Sequence, residues 1–236
     1  MRNGAAGMEV QKVLVIAAHP DDEVLGMGGT IAKYADRGDD VRLLIVTDGS
    51  SAQYRDEGNV EAIIQKKRNE TRACAAILGI GQIYYGTLPD MRLDVTPHIE
   101  TNNVIENVVN AFQPSIVFTH FYGDVNKDHR LVFESSIVAC RPTSSQCVRK
   151  LFLYSVPSST EWNVQTASTA FLPNWFEDIG GEFAQRKYRA MACYETELRE
   201  YPHPRSIQSL ISTDLAEGIR IGVQAAESFM LVRAIQ

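Results

Sequence analysis

The chain is poor in cysteine, and its cysteines are not paired in the sequence. The four of them, Cys74, Cys140, Cys147 and Cys193, include no C-x-x-C motif. A chain of 236 residues can bury a core large enough to fold without disulfides. We therefore expect reduced, mostly buried thiols in a cytoplasmic protein, rather than a redox role.

The chain also lacks a long hydrophobic run. Its first apolar run, Val13–Ala18, has six residues and follows a short polar start. A signal peptide needs a longer core, and a membrane-spanning helix needs about 20 apolar residues. We predict no membrane insertion, and we interpret residues 1–10 as a flexible leader.

Positive charge is neither abundant nor concentrated. The 23 lysines and arginines are outnumbered by 29 aspartates and glutamates, which gives a net charge of −6. The densest basic cluster, at residues 66–68, is flanked by Glu61 and Glu70. Nucleic-acid binding needs a more concentrated basic surface, so no nucleic-acid partner is expected.

What the chain does contain is an alternation of short apolar runs with helical patterns. The runs predict strands buried on both faces, at Val13–Ala18, Val41–Val46, Ile83–Tyr85, Ser115–Thr119 and Leu151–Val156. Helical spacing predicts helices near residues 24–35, 60–78, 97–112, 130–139, 182–200 and 207–232, and residues 157–181 suggest a β-hairpin or lid. This rhythm predicts an α/β, Rossmann-like fold with a mostly parallel sheet between helices, in a single domain over residues 1–236.

Three of the loops that leave these strands carry reactive side chains: His19–Glu23, Thr47–Ser51 and His120–His129. In open parallel sheets a ligand binds at the carboxyl ends of the strands, where such loops meet. Imidazole and carboxylate are ordinary zinc ligands, and a catalytic zinc takes three protein ligands. The first loop offers His19 and Asp22, and the third loop can supply another ligand.

A simpler interpretation of the same residues stays open on the pattern alone. Asp21, Asp22 and Glu23 fit the start of a helix, where each acid stabilises the helix dipole by about 0.3–1 kcal/mol. Asp128 and His129 equally fit a helix cap.

Several motifs together resemble those of one family. Ala18-His19-Pro20-Asp21-Asp22-Glu23, followed by Gly28-Gly29, is similar to the first motif of the LmbE-like (PIG-L) N-acetylglucosaminyl deacetylases. Residues 70–79 are similar to the family's second-helix motif, and Asp124-x-Asn126-x-Asp128-His129 to its metal-binding segment. With weaker segments at 158–162, 202–206 and 226–229, the resemblance covers most of residues 12–233.

The resemblance implies a function and a set of roles. His19, Asp22 and His129 correspond to the family's zinc ligands, with one zinc ion per chain. Asp21 corresponds to the general base, which takes a proton from the attacking water and returns it to the departing amine. The implied activity is removal of an acyl group, acetyl above all, from an N-acylated amino sugar or a related small amine.

The chain departs from the family pattern at one position. Many members have His-Pro-Asp-His in the third motif, where the first histidine stabilises the oxyanion, and this chain has Asn126 there. Asparagine donates a hydrogen bond but cannot become cationic. The role therefore falls to Asn126 in a weaker form, or to His120 or His203. Both histidines also fit a surface or a packed position.

Three basic residues are candidates for substrate contact. In the family an arginine near the start of the second helix contacts substrate, and here that position falls on Lys67, with Arg68 next to it. Arg55 is a third candidate. A solvated helix face explains Lys67 and Arg68 equally well.

Two other classes of protein are alternatives. A nucleotide-binding Rossmann-like module would use Gly26-x-Gly28-Gly29, but these glycines lie inside a helix pattern and come after three acids that repel phosphate. A non-catalytic family member would not need the reactive residues of the first and third motifs. The expected partner is therefore a small N-acylated molecule, and the sequence leaves a homo-oligomer open.

Overall fold

One seven-stranded sheet runs through the structure, with helices packed on both faces. The computed structural model describes residues 9–50, 59–143 and 145–236. The strands are β1 (Lys12–Ala17), β2 (Asp40–Thr47), β3 (Gln82–Leu88), β4 (Ile116–His120), β5 (Lys150–Tyr154), β6 (Trp175–Asp178) and β7 (Ala226–Ala234). The helices are α1 (Asp22–Asp36), α2 (Val60–Leu78), α3 (His98–Phe112), α4 (Lys127–Ala139), α5 (Glu182–Met191) and α6 (Ile207–Ile221).

The strand order places the functional edge of the sheet. The order is β3-β2-β1-β4-β5-β7-β6, in which β1 to β5 are mutually parallel. β7 runs antiparallel to β5, and β6 runs antiparallel to β7. The chain reverses its direction of strand addition between β1 and β4, which is where ligands bind in doubly wound folds. The predicted mostly parallel α/β architecture is confirmed.

Alternate residues of each central strand enter two separate cores. From β1, Val13, Val15 and Ala17 pack in a core that also contains buried residues of α1, α2, α5 and α6. Leu14 and Ile16 point to the other face, where α3 and α4 supply the apolar partners. Because both faces are covered, the central strands read as continuous apolar runs.

The second half of the chain differs from the sequence prediction. Helix α5 ends at Met191 rather than near residue 200, and α6 ends at Ile221, where Gly222 takes a left-handed φ of 76°. Beyond Gly222 the chain forms strand β7 instead of continuing the helix. β6 pairs with β7, so residues 157–181 do not form a hairpin of their own.

Two helices begin earlier than the pattern suggested, and both starts carry site residues. α4 begins at Lys127, so His129 lies in its first turn rather than before it. α1 begins at Asp22, directly after the loop that leaves β1. Within the described ranges, no helix is long and apolar enough to cross a membrane.

Candidate active site

A cavity of about 440 Å³ opens at the carboxyl edge of the sheet, beside the ends of β1 and β4. Its lining combines charged and polar side chains with a few apolar ones: His19, Pro20, Asp21, Asp22, Leu25, Gly49, Lys67, Asp90, Met91, Asn126, His129, Val156, Ser158, Ser159, Glu197 and Arg205. Its size lies within the range of about 300–1,000 Å³ that is usual for small-molecule sites.

Three side chains in this cavity form a cluster with the geometry of a metal site. One donor atom each from His19, Asp22 and His129 lies within 4.8 Å of the other two. The two carboxylate oxygens of Asp22 are 3.4 Å from His19 Nδ1 and 3.3 Å from His129 Nε2. The loop after β1 and the first turn of α4 thus bring together two imidazoles and one carboxylate from positions 110 residues apart.

Carboxylates behind the cluster fix the orientation of both imidazoles. His19 Nε2 is 3.1 Å from Asp128 Oδ2, and His129 Nδ1 is 3.1 Å from Asp124 Oδ2. When each outer nitrogen donates its proton to a carboxylate, each inner nitrogen keeps its lone pair directed at Asp22. This arrangement is typical of metal-ligating histidines, so the cluster fits a divalent ion in donor type as well as in spacing.

The electrostatics of the cluster point the same way. Burial by itself would lower the pKa of His129, but the charge of Asp22 and the hydrogen bond that His129 donates to Asp124 raise it to about 9. Burial would raise the pKa of Asp22, yet the charge of His129 holds it well below its usual value. The surrounding acids therefore favour positive charge at this point, which a divalent ion would supply.

Asp21 sits beside the cluster in a strained conformation. Its φ is 104°, a value that only a few per cent of non-glycine residues adopt. Among the described residues, none hydrogen-bonds to its buried Oδ2 atom. Burial raises the pKa of Asp21, and the charges of Glu197 and Asp22 raise it further. Backbone strain and a buried carboxylate oxygen without a hydrogen bond at a cavity wall are features of functional sites.

Glu23 anchors the backbone of this strained residue. Its Oε2 accepts a hydrogen bond of 3.2 Å from the Asp21 backbone N–H, and its Oε1 accepts one of 2.5 Å from the Tyr194 hydroxyl. Burial raises the pKa of Glu23 to about 7. Glu23 thus stabilises the loop that carries Asp21 and does not line the cavity.

The three candidates for oxyanion stabilisation occupy different places. Asn126 lines the cavity, but its Oδ1 caps α4 by accepting from the Asp128 backbone N–H at 2.9 Å. His120 is fully buried behind the ligands, where its ring stacks on His129 with centroids 4.0 Å apart and its Nε2 accepts from the Ala18 N–H. The structure therefore places Asn126 in the cavity wall, whereas His120 lies behind the His129 ring and does not line the cavity.

His203 also lies off the cavity wall. Its ring meets the exposed Trp162 edge-to-face, with centroids 5.8 Å apart. Its Nδ1 accepts a hydrogen bond from the Arg205 backbone N–H, which shapes the turn that carries Arg205.

Of the basic residues considered for substrate contact, one lies in the cavity wall and another lies away from it. Lys67 lines the cavity and is buried, and its Nζ is 2.7 Å from Glu197 Oε1 and donates to the Gly49 carbonyl at 2.6 Å. Arg68 lies away from the cavity, with its guanidinium over the Tyr85 ring. Arg55 lies outside the described residues.

Three further charged residues of the site were not identified from the sequence. Asp90 Oδ1 is 3.2 Å from His19 Nε2, and Glu197 and Arg205 form part of the opposite wall. The sequence could have indicated Asp90, because it closely follows strand β3, just as His19 follows β1. Glu197 and Arg205 belong to the irregular segment after α5, where the sequence pattern predicts helix up to residue 200.

The glycines of α1 serve helix packing rather than phosphate binding. A Cβ atom on Gly26, Gly28 or Gly29 would lie 2.4, 2.9 or 2.8 Å from a side chain of Tyr154, Lys187 or Ile179, respectively. These glycines therefore let α1 approach its neighbours closely. This removes the sequence feature that had suggested a nucleotide-binding module.

Comparison with known proteins agrees with this site. The sequence model of the PIG-L family, described as GlcNAc-PI de-N-acetylase, matches residues 14–140, which include all three ligand candidates. The diacetylchitobiose deacetylase of Thermococcus kodakarensis is 37% identical over 81% of this chain and 72% of its own length. The chain belongs to the PIG-L family of deacetylases, enzymes that hydrolyse a carbon–nitrogen amide bond.

Solved structures share the fold at lower identity. The N,N'-diacetylchitobiose deacetylase of Pyrococcus horikoshii superposes with a TM-score of 0.75 at 24% identity, over 95% of this chain and 84% of that one. A 4-carboxy-2-hydroxymuconate hydratase of Pseudomonas putida superposes with a TM-score of 0.71 at 21% identity, over 95% and 98%. The fold alone is therefore compatible with more than one reaction, and the sequence family is what points to deacetylation.

Proposed function

We propose that this protein is a zinc-dependent N-deacetylase that removes the acetyl group from an N-acetylated amino sugar. The observation that carries the proposal is the juxtaposition of a His19–Asp22–His129 cluster with the buried carboxylate of Asp21, whose Oδ2 accepts no hydrogen bond from the described residues. A metal site beside a carboxylate that can act as a base is an arrangement suited to hydrolysis of an unactivated amide.

Zinc is the proposed ion because of its ligands. Two imidazoles and one carboxylate form the protein ligand set of several catalytic zinc sites, and three protein ligands leave a position open. When bound, zinc would supply Lewis-acid polarisation and lower the pKa of water toward about 7.

The residues of the chain would do the rest of the chemistry. Asp21 takes a proton from the attacking water and delivers it to the amide nitrogen as the carbon–nitrogen bond breaks. Its raised pKa suits both steps, because a carboxylate that accepts a proton easily can hold it until the amine departs. Lys67 and Asn126 line the cavity as hydrogen-bond donors toward the substrate.

The substrate class is inferred from the relatives together with the cavity. Diacetylchitobiose, named for the Thermococcus and Pyrococcus enzymes, is an N-acetylated amino sugar. The polar, charged lining of the cavity suits a hydroxyl-rich molecule of that kind. The cytoplasmic location expected from the sequence stays a prediction, and so does the homo-oligomer that the sequence allows.

A metal analysis combined with an amine-release assay tests the proposal. The metal-free protein is loaded with zinc and incubated with a panel of N-acetylated amino sugars and, as chemical controls, the same sugars carrying free amines. We expect one zinc per chain and release of both acetate and primary amine from at least one panel member. No amine release from any member by the zinc-loaded protein would contradict the proposal. Hydration of an unsaturated carboxylic acid by the same preparation would favour the hydratase reaction instead.

A further inference from the structure

The cavity has to accommodate a new negative charge if the proposed function holds. Amide hydrolysis adds water across the carbon–nitrogen bond and yields one carboxylate and one ammonium. The cavity is already lined by four acids: Asp21, Asp22, Asp90 and Glu197. A carboxylate formed among them is repelled by these acids, so a positively charged side chain beside it would stabilise it in addition to the proposed zinc.

Two basic side chains line the cavity, those of Lys67 and Arg205. Lys67 is 3% exposed, and its ammonium group already bonds Glu197 and the Gly49 carbonyl at 2.7 and 2.6 Å. The side chain of Arg205 is 23% exposed, and its Nη1 is 2.7 Å from Glu197 Oε2. In the described part of the chain its Nε has no hydrogen-bond partner. Arg205 therefore keeps at least one N–H donor that no described residue accepts.

Arg205 is held rigidly in this position. Glu197 bridges it to Lys67, because one carboxylate oxygen bonds each cation. The segment that carries both residues is fixed to the protein core, since Thr196 Oγ1 donates to Glu70 Oε2 at 2.6 Å. Ser206, next to Arg205, caps α6 by accepting from the Ser209 N–H at 3.1 Å.

The position of Arg205 also matches the place where the carboxylate forms. Its Nη1 is 3.6 Å from Asp21 Oδ2, the oxygen without a hydrogen-bond partner. The water that Asp21 deprotonates contributes its oxygen to the acid product, so one oxygen of the new carboxylate arises beside Asp21. A guanidinium fork next to that point can bind it through charge-assisted hydrogen bonds.

We propose that Arg205 is a catalytic residue that binds the carboxylate of the acid product as it forms, and that Glu197 and Lys67 position it. This inference rests on the proposed function for the identity of the acid, acetate. The atoms balance: the amide carbon gains the water oxygen, the carbon–nitrogen bond breaks, and both water protons end on the departing amine, which leaves as ammonium.

Acetate itself is the probe. Its affinity for the metal-free and the zinc-loaded protein is measured by calorimetry, for the wild type and for Arg205→Met, Arg205→Lys and Arg199→Met. Arg199 is the matched control, because it lies in the same segment and its Nη1 donates to the backbone carbonyls of Thr196 and Leu198. We expect Arg205→Met to weaken acetate binding about 10-fold to 100-fold in both forms, which is the loss of a hydrogen-bonded charge pair. Arg205→Lys should recover part of the affinity, and Arg199→Met should stay within about twofold.

Activity supplies a second readout. We expect Arg205→Met to lower kcat more than it raises the KM for the amino sugar, and millimolar guanidinium to restore part of the activity. In the wild type, an NMR titration with acetate should shift the Arg205 Nε–H resonance, which needs no variant to fold.

The outcomes separate the two ideas. Unchanged acetate affinity in folded Arg205→Met, an equal loss in Arg199→Met, or an unmoved Nε–H resonance would overturn the role of Arg205. Absence of amine release by the wild type would instead overturn the proposed function, and the acetate titration would still decide whether Arg205 binds a carboxylate.

Discussion

At the scale of single residues, two adjacent aspartates are expected to do different work. Asp21 lines the cavity and its Oδ2 accepts no hydrogen bond from the described residues, whereas both oxygens of Asp22 face ligand histidines. We predict that Asp21→Asn abolishes hydrolysis while the protein keeps its zinc, because an amide of the same shape cannot accept the proton. The loss should appear mainly in kcat, measured with the amine-release assay beside a zinc determination.

Asp22→Asn is the comparison variant for that prediction. Because Asp22 lies between the two histidines, its conversion to an amide should weaken zinc binding instead of leaving a loaded, inactive protein. If Asp21→Asn lost its zinc, or kept near-normal turnover, the division of roles between the two aspartates would be wrong.

The carboxylates behind the histidines should also matter for zinc. Asp124 accepts hydrogen bonds from Ser159 and Thr160 and lies 3.1 Å from His129 Nδ1. We predict that Asp124→Asn lowers zinc affinity about 10-fold to 100-fold, because the amide orients the His129 ring less well than the carboxylate does. Competition with a chromogenic chelator measures this. The control is Asp94→Asn, whose carboxylate pairs with Lys127 at the surface and should leave the affinity unchanged.

The sequence could indicate which candidate residues lie close together where those residues belong to contiguous motifs. His19 and Asp22 share one loop, and His129 comes after a second strand, so strand order alone brings them together. Arg205 and Glu197 were missed because their position depends on a segment fixed by distant contacts. His120 was placed correctly at the end of its strand, but the sequence could not show that its side chain turns into the core.

At the scale of elements, the central parallel strands were predictable and the antiparallel ones were not. β1, β2, β4 and β5 are buried on both faces, and unbroken apolar runs are typical of that environment. β7 is half exposed, and its apolar residues also fit a helix. Gly222 was the available signal, because a left-handed glycine ends a helix and separates α6 from β7.

The close packing of α1 gives a prediction for an element as a whole. A Cβ on Gly29 would lie within 2.9 Å of three side-chain atoms of Ile179. We predict that Gly29→Ala lowers the free energy of unfolding by about 1–3 kcal/mol, because α1 or Ile179 must move. The control is Gly81→Ala, where the nearest atom would be 3.7 Å away and the change should stay within about 0.5 kcal/mol. Urea denaturation measures both, and equal stabilities of the two variants would contradict the packing role of Gly29.

At the scale of the whole molecule, the site makes the stability of the metal-free protein depend on pH. Burial lowers the pKa of His129, but Asp22 and Asp124 raise it overall from 6.5 to about 9. A group whose pKa rises on folding stabilises the folded state at low pH. That contribution is complete below pH 6.5 and disappears as the pH rises through about 9. Glu23 also makes the folded state less stable as the pH rises. Burial raises its pKa from 4.5 to about 7, so between these pH values the charged carboxylate increasingly favours the unfolded state.

Zinc should offset this trend, because it replaces the protons. Ligation requires neutral imidazoles, so below about pH 9 zinc has to displace the proton of His129. It also has to displace the proton of His19. Burial would lower the pKa of His19, but its hydrogen bonds with Asp128 and Asp22 raise that pKa overall. We predict that zinc affinity rises with pH from 6.5 to about 9, by about tenfold per pH unit for each proton displaced. The increase in Tm on adding zinc should therefore be larger at the upper end of this interval than at the lower end.

Calorimetric titrations in buffers of different ionisation enthalpy count the protons released, and thermal unfolding with and without zinc gives the shift in Tm. Asp22→Asn is the control, since it removes a ligand and one of the charges that raise the pKa of His129. In that variant both the zinc-induced shift and its pH dependence should shrink together. A zinc-induced shift in Tm that stays constant or falls between pH 6.5 and about 9 would mean that protonated histidines do not occupy the site in the metal-free protein.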